Sequence, residues 1–261
     1  MYRGYFALAI LASAHAAMAQ APSYTVSSIV NASDFSPGPF APGSLISIFG
    51  SNLSFGSAGL NSSNTGGATL PFFLGNVSVV IDHVAAPLLY VSPTQINVMI
   101  PPNEIAGNVP IQVLRQSVYG PVVVISLATA APALFVSSDH MALAQDYNAG
   151  YALATTAGPA QPGDLMILYA TGLGGTQPLP GTGDIPQTAA MINGFASGAL
   201  QVLLNGKALH PKTIPYAGLT PGFAGLYQIN FYIPGDCPPN PQIQIVMGGQ
   251  SSAPNVMLAV R

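Results

Sequence analysis

The sequence predicts an all-β chain built as two tandem immunoglobulin-like β-sandwich domains. Three observations predict this: a text that occurs twice, short alternating apolar runs, and evenly spread turn residues. Pro42, Gly43 and the apolar run 45–49 are answered by Pro162, Gly163 and the run 165–169. Gln95-Ile96-Asn97 is answered by Gln228-Ile229-Asn230, and Ile111-Gln112-Val113 by Ile243-Gln244-Ile245. The separation grows from 120 residues at Pro42 and Pro162 to 133 at Asn97 and Asn230, so the second copy carries insertions. A period this long is a duplicated domain, because stacked-repeat units run to roughly 20–50 residues. The chain's 28 Gly and 25 Pro punctuate short β-type runs, the pattern of a sandwich or barrel.

The expected strands of the first copy are 24–30, 45–50, 76–81, 84–91, 95–100, 109–114 and 122–127. Those of the second are 142–147, 151–155, 165–171, 200–204, 207–216, 226–232, 242–246 and 255–260. Val77, Val79 and Ile81 alternate with other residues, as do Leu200, Val202 and Leu204. Such a period of two puts one face in a core and the other in water. Asn205-Gly206 is a two-residue hairpin signal, since a type I′ turn requires positive φ at both central positions. Asp82-His83 stands at the equivalent place in the first copy. Leu45 and Leu165 should be equivalent, as should Ile96 and Ile229, all four facing inward. The Ser-, Gly- and Asn-rich stretch 51–69 and its counterpart 174–194 read as long exposed loops.

The N-terminus reads as an export signal. Arg3 gives the positive start, 5–12 the apolar core, and Ala17 and Ala19 the small-x-small cleavage pattern. The expected organisation is a signal peptide over 1–19, one sandwich over 20–130 and a second over 131–261. Cleavage near Ala19 would deliver the chain to the periplasm, the cell surface or the medium. No apolar run reaches the roughly 20 residues of a membrane span. Only 5% of residues are charged, against about a quarter in ordinary proteins. Beyond residue 19 the cations are Arg115, Lys207, Lys212 and Arg261, scattered along the chain. That excludes nucleic acid as a partner, because phosphate binding needs clustered Lys and Arg.

Three stretches carry a family resemblance. They are 29–44, with Asn31, Ser33, Phe35 and Pro42-Gly43; 87–97, with Pro93 and Gln95-Ile96-Asn97; and 168–174, with Tyr169, Thr171 and Gly172. Together they resemble the Solibacter-type uncharacterised C-terminal domain of secreted acidobacterial proteins. That family is itself similar to the tandem IPT/TIG class of immunoglobulin-like folds. The resemblance covers about 24–261 and implies fold and export, without an activity or catalytic residues. The module usually ends a longer protein; here it directly follows the expected signal peptide, as a stand-alone form would.

Chemistry-bearing motifs are few. The stretch Thr171-Gly172-Leu173-Gly174-Gly175 resembles a phosphate loop, but the Pro178 and Pro180 after it block the helix such a loop needs. The histidines His83, His140 and His210 read as structural. Asp139-His140 with Asp146 is the one local cluster of His and Asp, and no metal-binding spacing accompanies it. A single cysteine, Cys237, in the Pro-rich turn 234–241, excludes an intramolecular disulfide and leaves pairing with another chain open. The polar positions that recur are Gln95, Asn97, Gln228 and Asn230. They are either amides for a sugar or peptide, or groups that satisfy buried backbone at a strand turn, as buried polar atoms require. Recurrence in both copies favours the structural role. The function expected is a secreted, non-enzymatic structural, adhesion or binding module without a cofactor, whose partner is a protein or glycan at the cell envelope. The alternative is a secreted carbohydrate-active or hydrolytic enzyme, or its accessory carbohydrate-binding domain.

Overall fold

The computed structural model describes residues 20–62, 65 and 68–261; the expected export signal, 1–19, lies outside the described residues. Every strand pair is antiparallel, and the only helical pieces among the described residues are the 3₁₀ turns Val26–Ser28 and Pro211–Thr213. The all-β, immunoglobulin-like expectation therefore holds.

In the first half, one sheet runs Ile29–Asn31, Leu45–Phe49, Gln95–Met99, Leu88–Val91, Ala58–Gly59 in spatial order. Its partner runs Val123–Leu127, Gly107–Arg115, Val77–Ile81, Val84–Ala86. The second half repeats both. Its larger sheet contains Ala144–Asp146, Leu165–Thr171, Tyr227–Tyr232 and Tyr216–Leu219 as consecutive neighbours, and its smaller one runs Lys207–Ala208, Leu200–Leu204, Ile243–Met247, Gln250–Ser251. One core gathers Ile48, Ile96, Val79 and Ile111 from both sheets of the first half. The other gathers Leu168, Ile229, Val202 and Ile245 from both sheets of the second.

Register shows the duplication directly. Ile48 stands opposite Ile96, and Leu168 opposite Ile229. Leu45 stands opposite Met99, and Leu165 opposite Tyr232. The hairpin tips also match: φ is positive at Asp82 (43°) and His83 (68°), and at Asn205 (48°) and Gly206 (77°). These are the conformations a type I′ turn demands.

Several expectations are corrected. Leu45 and Leu165 are equivalent but do not face the sandwich core. Side chains alternate along a strand, so a register that buries Ile46 and Ile48 turns Leu45 to the opposite face. The expected strand 84–91 is two strands, split at Pro87, whose missing N–H cannot continue the ladder. It passes from one sheet to the other there. The expected strand 207–216 likewise divides into Lys207–Ala208, the 3₁₀ turn and Tyr216–Leu219. The segment 255–260 joins by isolated bridges only, at Met257 and Val260.

The two stretches read as free loops instead meet each other. The Leu70 amide donates to the Gly183 carbonyl (2.8 Å), and the Ile185 amide to that of Ala68 (2.7 Å). Beside this strap, Leu45, Leu70 and Met99 pack with Ala224, Phe135 and Ile185 in a small apolar cluster joining the halves. Thr171 is a hydrogen-bonded pin at the same joint. Its Oγ1 accepts from the Leu45 amide (3.1 Å) and donates to the Gly225 carbonyl (3.1 Å). Gly225 has to be glycine: φ is +69°, and a Cβ there would lie 2.6 Å from Leu45 Cδ2.

One equivalent pair differs in charge. Asn31 stands opposite Ile46, and Asp146 opposite Met166, which places them at the same site of the two sandwiches. Both are buried. Asp146 Oδ1 accepts from the amides of Asn148 (2.8 Å) and Ala149 (3.3 Å). Burial, with neighbouring Asp164 adding repulsion and a shared side-chain hydrogen bond, still raises the Asp146 pKa above its usual value.

Two predictions follow from this geometry. In Thr171→Val, which keeps the shape but removes the hydroxyl, a buried N–H and a buried carbonyl both lose their partner. Such a loss costs about 1–3 kcal/mol, and differential scanning calorimetry should show Tm lowered by several degrees. The Asp146 prediction concerns pH. An acid whose folded pKa is raised binds its proton more tightly folded than unfolded. Stability therefore declines as pH rises from about 4, the ordinary Asp value, through the raised value, and then levels off. Asp146→Asn copies the first half's Asn31 and keeps an acceptor for both amides. It should raise Tm at pH 7 and flatten this decline; an unchanged Tm–pH profile would contradict the assignment.

Candidate functional site

The register that fills the second core also composes the outward face of its larger sheet. Leu165, Ile167 and Tyr169 point away from the core on one strand, and Gln228, Asn230 and Tyr232 on its neighbour. Pairing sorts them into rows. One row runs Gln145, Ile167, Asn230, Tyr216 across four strands. The next places Tyr169 beside Gln228 and Gly218. On the other side, Leu165 lies between Tyr232 and Tyr147, whose amide donates to the Leu165 carbonyl (3.0 Å). At about 4.8 Å between strands and about 6.8 Å between rows, these side chains tile a patch about 14 Å square.

Local bonds hold the patch in order. Tyr169 donates its hydroxyl to Gln145 Oε1 (2.5 Å), and Gln228 Nε2 donates to Asn230 Oδ1 (3.3 Å). The Tyr216 ring runs along its own strand over Gly218: a Cβ at Gly218 would lie 2.6 Å from the Tyr216 oxygen. Its hydroxyl donates to the Leu219 carbonyl (2.7 Å). Desolvation raises the pKa of Tyr169 and of Tyr216, so both stay neutral donors at physiological pH. Tyr147 and Tyr151 pack edge to face, 5.2 Å apart, at the rim. No Asp, Glu, Lys or Arg lies among the outward residues of these rows.

The first half presents the equivalent row, Val30, Ser47, Asn97, Tyr90. Tyr90 is thus the counterpart of Tyr216, not of the Tyr227 that precedes Gln228 in the sequence match. Asn97 Oδ1 accepts from Gln95 Nε2 (2.8 Å) and Ser47 Oγ (3.0 Å). All four predicted amides, Gln95, Asn97, Gln228 and Asn230, are half-buried on outward faces and bonded to side chains. The alternation that buries Ile96 and Ile229 sends them to the opposite side, where their bonds run to one another and to Ser47.

The remaining candidates are occupied by local structure. Carboxylates of Asp34, Asp146, Asp164 and Asp184 accept from backbone amides within three residues and shape turns. Asp139 accepts from Ser137 Oγ (2.5 Å), which lowers its pKa, and lies in a separate turn from Asp146. His210 lines a cavity of about 350 Å³ with Lys207, Thr213, Tyr232, Asp236 and Cys237. A triad base donates its Nδ1 proton to a carboxylate; His210 Nδ1 instead accepts from the Lys212 amide (3.2 Å), and Asp236 faces Lys207 (3.6 Å). Burial, then the Asp236 charge, raises the Cys237 thiol pKa, which opposes nucleophilic reactivity. Among the described residues, no three His, Cys, Asp or Glu side chains gather as a metal site would require. No helix among them is long and apolar enough to cross a membrane.

The sequence singles out the four amides of these faces but not Gln145, Tyr147, Tyr169 or Tyr216, which lie beside them. Alternation alone would place Tyr169 and Tyr232 on the outward face. Joining them to Tyr216 required the strand pairing, which the insertions of the second copy conceal.

Comparison with known proteins adds the following. No curated protein matches the chain. Among solved structures, the surface glycan-binding protein PbSGBP-B of Prevotella bryantii is 15% identical, covering 88% of this chain and 40% of its own, at a TM-score of 0.26. The SGBP-B of the Bacteroides ovatus mixed-linkage glucan utilization locus, in complex with a mixed-linkage heptasaccharide, is 10% identical over 95% of this chain and 47% of its own (TM-score 0.35). Domains 5-6 of the S-layer protein SbsC are 10% identical over 92% and 98% (TM-score 0.28). The chain thus spans less than half the length of the two glycan-binding proteins. Residues 25–129 match the IPT/TIG domain family.

Proposed function

We propose that this chain is an exported, non-catalytic binding module that acts at the cell envelope or outside the cell. In this reading 1–19 is removed on export, and 20–130 and 131–261 are two sandwiches of the Solibacter-type module. The observation that carries it is the form of the polar surface. The recurring amides stand on outward sheet faces beside tyrosines, bonded to one another, and among the described residues line none of the pockets. An enzyme concentrates its polar groups in a concave, desolvated site, whereas an open array across several strands suits an extended partner. The dispersal of carboxylates into turns supports the same reading.

The test is a pull-down of the purified protein on envelope material and on insoluble polysaccharide, with reducing-end and peptide-release assays on the same samples. Retention without release of soluble product is expected; progressive release of product, or no retention on any matrix, would overturn the proposal. The amides give a second test. Asn97 accepts two side-chain donors and Asn230 one weaker one, so the two alanine variants should differ. Asn97→Ala should lower Tm by an amount matching about 1 kcal/mol, and Asn230→Ala should leave Tm nearly unchanged while weakening retention. Equal melting losses in both would assign both amides a purely structural role.

A further inference from the structure

The two copies put equivalent faces to different uses. In the first half, Leu45, Leu89 and Met99 of the outward face are packed against Phe135, Ile185 and Ala224 of the second half. In the second half the positions equivalent to Leu45 and Met99 are Leu165 and Tyr232; Leu165 is half-buried, and Tyr232 lies open with 46% of its surface exposed. Burial against a neighbour explains apolar Leu45 and Met99. It does not explain an open tyrosine, nor Tyr147, 49% exposed in the same row.

The geometry points to this open face of the second half as a binding platform for a neutral polysaccharide chain; the assignment rests on the binding-module reading above. Each component has a counterpart in the chemistry of a sugar. The axial C–H face of a pyranose is apolar and carries partial positive charge, which suits the negative π-face of a tyrosine ring. Vicinal equatorial hydroxyls both donate and accept, which suits Asn230 and Gln228, each with a carbonyl oxygen and an NH₂. The rows of rings and amides repeat at about 6.8 Å along the strands, on the scale of a sugar residue. Charge selects among polysaccharides. The rows carry no Lys or Arg, and Lys207, which lines the cavity beside Tyr232, already faces Asp236 (3.6 Å), so no unpaired cation offsets the desolvation of a uronate or sulfate. The rows carry no acidic residue either, and at their edge Asp236 is paired with Lys207 and Asp164 with the Gln161 amide, which leaves a cationic polymer little to bind. The occupant is therefore a neutral glycan, held over several residues and not at one chain end.

Affinity gel electrophoresis tests this, using the purified protein in gels cast with mixed-linkage β-glucan, xyloglucan, xylan or galactomannan, and with polygalacturonate as the anionic arm. Retardation by at least one neutral polymer and none by polygalacturonate is expected. Tyr232→Ala should weaken that retardation by about tenfold or more at unchanged Tm, and Tyr147→Ala should weaken it as much with a small loss of Tm from its edge-to-face contact with Tyr151. Tyr119→Ala, at a more exposed ring on the other sheet of the first half, should leave it intact. Retardation by the anionic polymer alone, or equal retardation of Tyr232→Ala and wild type, would overturn the face assignment while leaving a binding module in place. A wild-type protein that no polymer retards, but that envelope material retains, would overturn the glycan assignment alone. Retention by neither would overturn both readings.

Discussion

The register of one antiparallel pair in each sandwich governs the rest of the molecule. With side chains alternating at a period of two, setting Ile48 against Ile96 and Leu168 against Ile229 decides the destination of every neighbour. Ile46, Val98, Met166 and Phe231 go to the cores. Leu45, Asn97, Tyr169, Gln228, Asn230 and Tyr232 are sent outward by the same rule. A slip of one residue would bury the amides and expose the aliphatics, so core and candidate site are two faces of one constraint.

That constraint also explains how two copies of one fold become a unit with a direction. A sandwich needs only its inner faces buried, which leaves each copy free to evolve its outer ones. In the first copy one end of that outer face became a joint, fastened by Thr171, by the close approach at Gly225, and by the strap in which 68–70 runs beside 183–185. In the second copy the equivalent surface carries the exposed rings of Tyr147 and Tyr232. A charge-poor chain cannot rely on ionic contacts for either purpose. Its only side-chain ion pair among the described residues, Lys207 with Asp236, is almost fully exposed and contributes little. Buried Arg115 shows the same economy: its guanidinium donates to the backbone carbonyls of Asn52 and Gln20 and stacks on Phe55, without a carboxylate partner among the described residues.

Much of the fold was readable from residues alone because it rests on local rules. Alternation in 77–81 and 200–204, and the turn chemistry of Asn205-Gly206, need no tertiary knowledge. What escaped reading was decided by partners distant in sequence. The strap reads as two loops in the sequence because its two segments lie more than 100 residues apart and meet through a single isolated bridge. The break at Pro87 was missed because an apolar run hides a proline that moves the chain between sheets. The candidate site was half readable. Gln228 and Asn230 repeat a visible motif, but Tyr216 reaches their row only after an insertion the first copy lacks, and no sequence match aligns it with Tyr90.

The account's central claim is that the open face of the second sandwich meets the ligand while the joined face of the first does not. The chain contains no Trp, so a single Tyr232→Trp substitution gives a fluorophore on that face against no background. Titration with the neutral polysaccharide that retards the protein should shift its emission to the blue and shield it from acrylamide, saturably. An emission that stays fixed up to polymer concentrations at which retardation is complete would place the ligand elsewhere and contradict the account.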